Sequence, residues 1–274
     1  MSYVSVGEVR GYNAWHPIPI YADKLIERSP TIFQTTHYPI VDFDFDGVIK
    51  DDIEVFVNGE PVDFELMDVE RGLISFSSPP VGEVTANYYW HPISDSEIAL
   101  AIASAEAEIE LLTGFKYVPE EVTEKIKVFI GNEIKTSRPI ISISSVKIYS
   151  MIGTLVNDNP RVEIIDKEKG IVRILDYRAG IPTRPYFLPS AYEVEITYQA
   201  GYTTPPDYIK NAAVLFATYY ILLKFQRMIV LNEDYTQVSL TFKTPDEFTK
   251  RLNFIREEVE RIRALLPKRA RSID

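Results

Sequence analysis

The sequence predicts an α+β protein. An all-β module, a small sandwich or barrel over residues 1–93, precedes a helical domain with inserted β-hairpins over 94–266 and a basic tail at 267–274. Three observations predict it. Up to Trp90 the apolar residues alternate in short runs broken by turn signals such as Asn58-Gly59, which is the period of strands. From Ser94 onward Ile98, Ile102, Ala105, Ile109 and Leu112 recur at alternating steps of four and three, the stripe of a helix. Near the C-terminus Phe248, Leu252, Ile255, Val259, Ile262 and Leu266 repeat that spacing, as a heptad seam does.

Each element has its own warrant. IEVFVNGEPVDFEL (53–66) predicts a hairpin turning at Asn58-Gly59, because both residues tolerate positive φ. LISF (73–76) and EVTANYYW (83–90) predict further strands, set off by Arg71-Gly72, Pro79-Pro80 and Gly82. Ser94 followed by Glu97 is a capping box that opens the first helix, and Gly114 suits its left-handed C-terminal cap. Strands return at KIKVFIG (125–131), ISISSVKIYS (141–150) and EVEITYQAGY (193–202), and VEIIDKEKGIVRIL (162–175) predicts a hairpin near Lys169-Gly170. The connection 177–190 holds Pro182, Pro185 and Pro189 and is long for a structureless loop, which marks it as a contact element or as disordered. Thr204 and Pro205-Pro206 open a second helix, apolar nearly all round, that runs to about Phe225 and belongs at the centre of a core or between subunits. VSLTF (238–242) is β-like, and Thr244-Pro245-Asp246-Glu247 caps the last helix. That helix is read either as a coiled-coil or partner helix or as an amphipathic helix on its own domain's core.

Composition narrows the chemistry. Among 274 residues, 46% are hydrophobic and 25% charged, as in globular proteins. Without cysteine, disulfides, thiol catalysis and Cys-based zinc sites are excluded, and a reducing place of synthesis fits. No apolar run approaches the ~18–20 residues that span a bilayer, and MSYVSVGEVRGYNAW has neither the basic start nor the apolar core of a signal peptide. The net charge is −11. Lys243–Asp274 holds nine Lys/Arg against six Asp/Glu, so the rest of the chain is the more acidic for it. Such a body does not grip nucleic acid by its phosphates, which takes clustered Lys/Arg.

Two stretches raise the question of a site. Asp42, Asp44, Asp46 and Gly47 match the opening of a calcium loop, but its twelfth position, where a bidentate Glu belongs, is Ile53. The competing reading, and the favoured one, is an edge strand with Phe43 and Phe45 inward and the aspartates outward. WHPI occurs twice, at 15–18 and 90–93, and holds both tryptophans and two of the three histidines, His16 and His91. A shared metal lacks an evident third ligand, since His37 has no obvious place beside them. The copies are therefore read as punctuation, the residue before each proline being extended. No G-x-S-x-G, P-loop, G-x-G-x-x-G or H-E-x-x-H occurs. No cofactor and no enzyme activity is expected, and an acid/base hydrolase built on carboxylates ranks lowest.

Tyr198-Gln199-Ala200-Gly201-Tyr202, then Pro205-Pro206 and Ile209-Lys210-Asn211-Ala212-Ala213, follow an early helix ending Glu110-Leu111-Leu112-Thr113-Gly114 and strands around Arg138-Pro139-Ile140. In that order over about 94–266 they resemble the head-to-tail connector (adaptor, head-completion) proteins of tailed bacteriophages. The resemblance implies a structural virion protein, assembled in the host cytoplasm, that forms a ring, commonly a dodecamer, at the neck. Its partners would be other copies of itself, the portal protein, and the tail or next neck protein, with DNA only as passing cargo and no membrane. It carries the last helix and the tail residues Lys268, Arg269 and Arg271 over as the portal contact, and 177–190 as a channel- or tail-facing element. Residues 1–93 depart from the compact family pattern. The alternative is a β-sandwich carbohydrate- or receptor-binding module on a helical oligomerisation domain.

Overall fold

The computed structural model describes residues 2–129, 131–175, 192–231 and 245–266. Among them are four antiparallel sheets and four α-helices, with strands dominating the N-terminal part and helices the C-terminal part. The α+β class is therefore as the sequence predicts. By contacts the chain forms two compact units, one of residues 2–108 with 210–266, the other of 109–209.

In the first unit, β1 (Ile18–Lys24), β8 (Val84–Trp90), β4 (Glu54–Val57) and β5 (Glu60–Pro61) make one sheet in the order β1-β8-β4-β5. A second has the order β2-β3-β7-β6, from β2 (Ile26–Ser29), β3 (Ile32–Gln34), β6 (Glu65–Asp68) and β7 (Leu73–Ser75). The hairpin turns where expected: Val57 pairs with Glu60, and Asn58 and Gly59 have φ of 53° and 85°. Phe33, Val55, Ile74, Ala86 and Tyr88 bury themselves in the shared core of these strands.

The same unit contains a helix that the all-β expectation for residues 1–93 left out, α1 (Val6–Asn13). It opens on a complete capping box. Glu8 N donates to Ser5 Oγ at 3.2 Å, and Ser5 N donates to Glu8 Oε2 at 2.7 Å. Those two bonds satisfy orphan donors that a short helix cannot leave bare.

Helix α2 (Asp95–Thr113) starts at the predicted cap, where Glu97 N donates to Ser94 Oγ at 3.1 Å, and buries Ile98, Ile102, Ala105 and Ile109. Gly114 closes it with φ 72° and its N–H on Glu110 O. Helix α3 (Asp207–Leu231) begins after the two prolines and runs past Phe225, while α4 (Pro245–Leu265) has proline as its first residue. The α4 seam is covered within this one chain, for Phe248, Leu252, Ile255 and Val259 are at most 3% exposed. That supports the amphipathic reading of α4 over the coiled-coil one. Polar ties bind the helices together: Glu97 to Lys224, and Glu108 to both the Tyr220 hydroxyl and Arg263, whose guanidinium lies over the Phe216 ring.

The second unit is antiparallel. Its main sheet has the order β12-β11-β15-β9, from β9 (Glu120–Val128), β11 (Ile140–Ser150), β12 (Leu155–Asn157) and β15 (Tyr192–Ala200). A smaller one has the order β10-β14-β13, from β10 (Glu133–Lys135), β13 (Val162–Asp166) and β14 (Ile171–Ile174). Burial alternates strictly along β15, Tyr192, Val194, Ile196, Tyr198 and Ala200 facing the core that both sheets share. Each large apolar side chain so buried contributes about 1.5–3 kcal/mol. The stretches 177–190 and 238–242, singled out above, lie outside the described residues.

Candidate functional site

The two WHPI copies meet. Ile18, at the end of the first, pairs across the sheet with Trp90, at the start of the second. Arg10 of α1, with no exposed surface, joins them: its guanidinium donates to Trp15 O at 3.3 Å and to Ile93 O at 2.8 Å. Its charge is met by Asp95, the first residue of α2, at 2.9 Å from Nε. Burial pulls the Arg10 pKa down and Asp95 opposes that, and an arginine stays protonated in either case.

The histidines of the two copies fare differently. His16 is exposed, whereas His91 is 5% exposed and takes Ile93 N–H on Nδ1 at 3.1 Å. Burial, then the neighbouring Arg10, pushes its pKa down to about 4, so it is neutral at physiological pH. The His37 ring lies 5.0 Å from the Trp90 ring. Among the described residues no group of three ligating side chains includes a histidine. The structure brings the copies together as a joint.

The aspartate stretch is a loop, and the edge-strand expectation is corrected. Phe43 and Phe45 are 49% and 40% exposed, while Asp42 is the buried residue at 5%. Asp42 accepts from Phe45 N and Gly47 N, both at 2.7 Å, Asp44 from Asp46 N at 3.2 Å and Asp46 from Val48 N at 2.7 Å. Such local bonds compete with a strand ladder and win here. Asp95 Oδ2 takes the Asp42 N–H at 2.8 Å and so ties the loop to the Arg10 joint. Oxygens of Asp42, Asp44 and Asp46 lie within 4.8 Å of one another, but Asp42 already serves two backbone donors and Ile53 is buried. The set is short of what calcium requires.

Beside this loop lies a cleft that the sequence did not reveal. It is a hollow of about 260 Å³ lined by the rings of Tyr21, Phe43, Tyr88 and Tyr89 and by Asp51, Asp52, Glu54 and Asn87. Phe43 stacks on Tyr89 with centroids 4.2 Å apart. Tyr21 stands at a β-bulge, where Tyr21 and Ala22 together oppose Asn87 between the pairs Ile20–Tyr88 and Asp23–Ala86. Ala22 has φ 51°, and its N–H donates to Asn87 Oδ1 at 2.9 Å. Bulges re-aim side chains in this way, and Tyr21 is left 72% exposed. Burial, ahead of the neighbouring acids, raises the Asp52 pKa. Only the broken alternation around Tyr21-Ala22 hinted at it in the sequence. The tail residues Lys268, Arg269 and Arg271 lie outside the described residues.

No family model matches the chain, and no curated protein matches it. Solved structures similar to it include the neck of an empty gene transfer agent (GTA) particle computed with C6 symmetry, at 17% identity, TM-score 0.31 and coverage of 46% of this chain and 66% of that one. The neck of a native GTA particle computed with C12 symmetry gives 17% identity and TM-score 0.31 over 46% of this chain and 70% of that one. The virion of a native GTA particle gives 19% identity and TM-score 0.30 over 46% and 66%. The chain thus spans just under two thirds of the first of these. Likenesses of this size are too slight to carry a function.

Proposed function

We propose that the protein is a structural, non-enzymatic component of a virion neck. Copies of it form a ring that joins the portal of a DNA-filled head to the tail and lines the DNA exit channel. The observation that supports this reading is how the signature stretches are arranged. Ile140 pairs with Ala200, and Gly201 N donates to Pro139 O at 3.1 Å. Arg138-Pro139-Ile140 and Tyr198–Tyr202, far apart in sequence, therefore form one structural feature of the second unit. At Gly201 a Cβ would come within 2.5 Å of Val118 O, which is why glycine stands in the middle of that signature. In this reading Lys268, Arg269 and Arg271 contact the portal, and the net charge of −11 lets DNA pass without being held.

Native mass spectrometry tests it, on the full chain and on a chain lacking 267–274, each alone and with the portal protein of the same particle. A closed ring of about a dozen copies, alone or on the portal, is the expected result, with weaker portal binding after the deletion. Monomers in every sample would remove the neck reading.

A further inference from the structure

The cleft beside Tyr21 has walls and acceptors but few free donors. Its aromatic lining includes the exposed Tyr21 ring and the Phe43–Tyr89 stack. The Asp51 carboxylate, also in the lining, has no partner among the described residues. Asp52 accepts from Phe43 N at 2.6 Å through one oxygen. The Asn87 amide is spent at both ends, its Oδ1 on Ala22 N and its Nδ2 on Glu54 at 2.9 Å. Carboxylates only accept hydrogen bonds, so a ligand here must bring donors. It must also present a flat C–H face to the rings, since aromatic side chains add most where apolar surface covers them.

A sugar ring meets both demands: axial C–H groups on one face and hydroxyl donors around the rim. The hollow of about 260 Å³ is a little under the ~300–1,000 Å³ of drug-sized pockets, as suits a single ring. The pocket is also built beforehand. The bulge that projects Tyr21 is held by the Asn87 side chain and by pairing on both sides of it.

We propose that this cleft is a carbohydrate-binding site, taking one neutral sugar ring against Tyr21 and Phe43 with its hydroxyls donating to Asp51, Asp52 and Glu54. This is independent of the neck reading, and either stands if the other fails.

Saturation-transfer NMR on the full chain tests it. The probes are the methyl glycosides of glucose, galactose, mannose and N-acetylglucosamine, with tetramethylammonium as a cationic control. Expected is transfer to the ring protons of at least one glycoside, reduced about fivefold or more in Tyr21→Ala. The same signal should persist in Tyr38→Ala, a tyrosine 50% exposed that does not line the cleft. Transfer to no glycoside overturns the proposal. So does transfer to tetramethylammonium alone, or a glycoside signal that Tyr21→Ala leaves unchanged.

Discussion

The two WHPI copies are identical in sequence and opposite in environment. At the first, His16 faces solvent; at the second, His91 is buried against Ile93 and Arg10 and held neutral. Four residues set the local backbone, because proline restricts the residue before it, but not what surrounds it. The first copy follows a short helix and leads into β1, which has exposed residues through most of its length; the second ends β8, a central strand. What the copies share is Arg10, which bonds a carbonyl at each. The repeat is a joint closed by a buried cation, with one imidazole inside it and one outside.

The largest effect should come from that cation. Arg10→Met keeps most of the volume but strips Asp95 of its counter-charge and leaves two carbonyls unmet, and breaking a buried pair from one side costs about 3–5 kcal/mol. A large drop in Tm is expected; an unchanged Tm would mean that the two copies are held together by something else. His91 comes next. Its pKa is about 4 folded and 6.5 in the ordinary range, so below about pH 6.5 the unfolded chain binds a proton that the folded chain refuses until about pH 4. The sign is therefore a loss of stability as pH falls through that window, level below it, and at most ~3.5 kcal/mol at ~1.4 kcal/mol per pH unit. In His91→Asn that part of the slope should vanish from urea midpoints measured between pH 7 and 4, whatever the substitution does to stability at pH 7. Smallest is His16→Asn, expected to stay within about 0.5 kcal/mol at neutral pH as an exposed change does. A destabilisation as large as that of His91→Asn would erase the contrast.

Much of the fold was legible because its elements announce themselves locally. Asn58-Gly59 names its own turn, and the α2 and α4 stripes are long enough for the helical period to stand out. The α1 helix had a signature too, Ser5-Val6-Gly7-Glu8, but Gly7 and Gly11 are poor helix formers and hid it. The structure gives one of them a reason, for a Cβ on Gly7 would meet the Phe45 ring at 2.9 Å. That contact is also what the edge-strand reading of 41–48 missed: Phe45 packs by α1 rather than beneath a strand. The aromatic cleft was less legible still. Its residues come from positions 21, 43, 51–54 and 87–89, and the bulge that gathers them leaves only a lapse in alternation.

By itself, the sequence determined the α+β class, the hairpin, the capped helices and the strict alternation of strands such as β15. These follow from dihedral preferences and apolar periodicity, which act between residues a few positions apart. Tertiary structure alone decided that Arg10 is buried, that its counter-charge is Asp95, and that His91 loses its proton while His16 stays in water. Those outcomes depend on desolvation, and desolvation is set by which distant residues close over a group, here partners 85 positions apart that no local pattern connects.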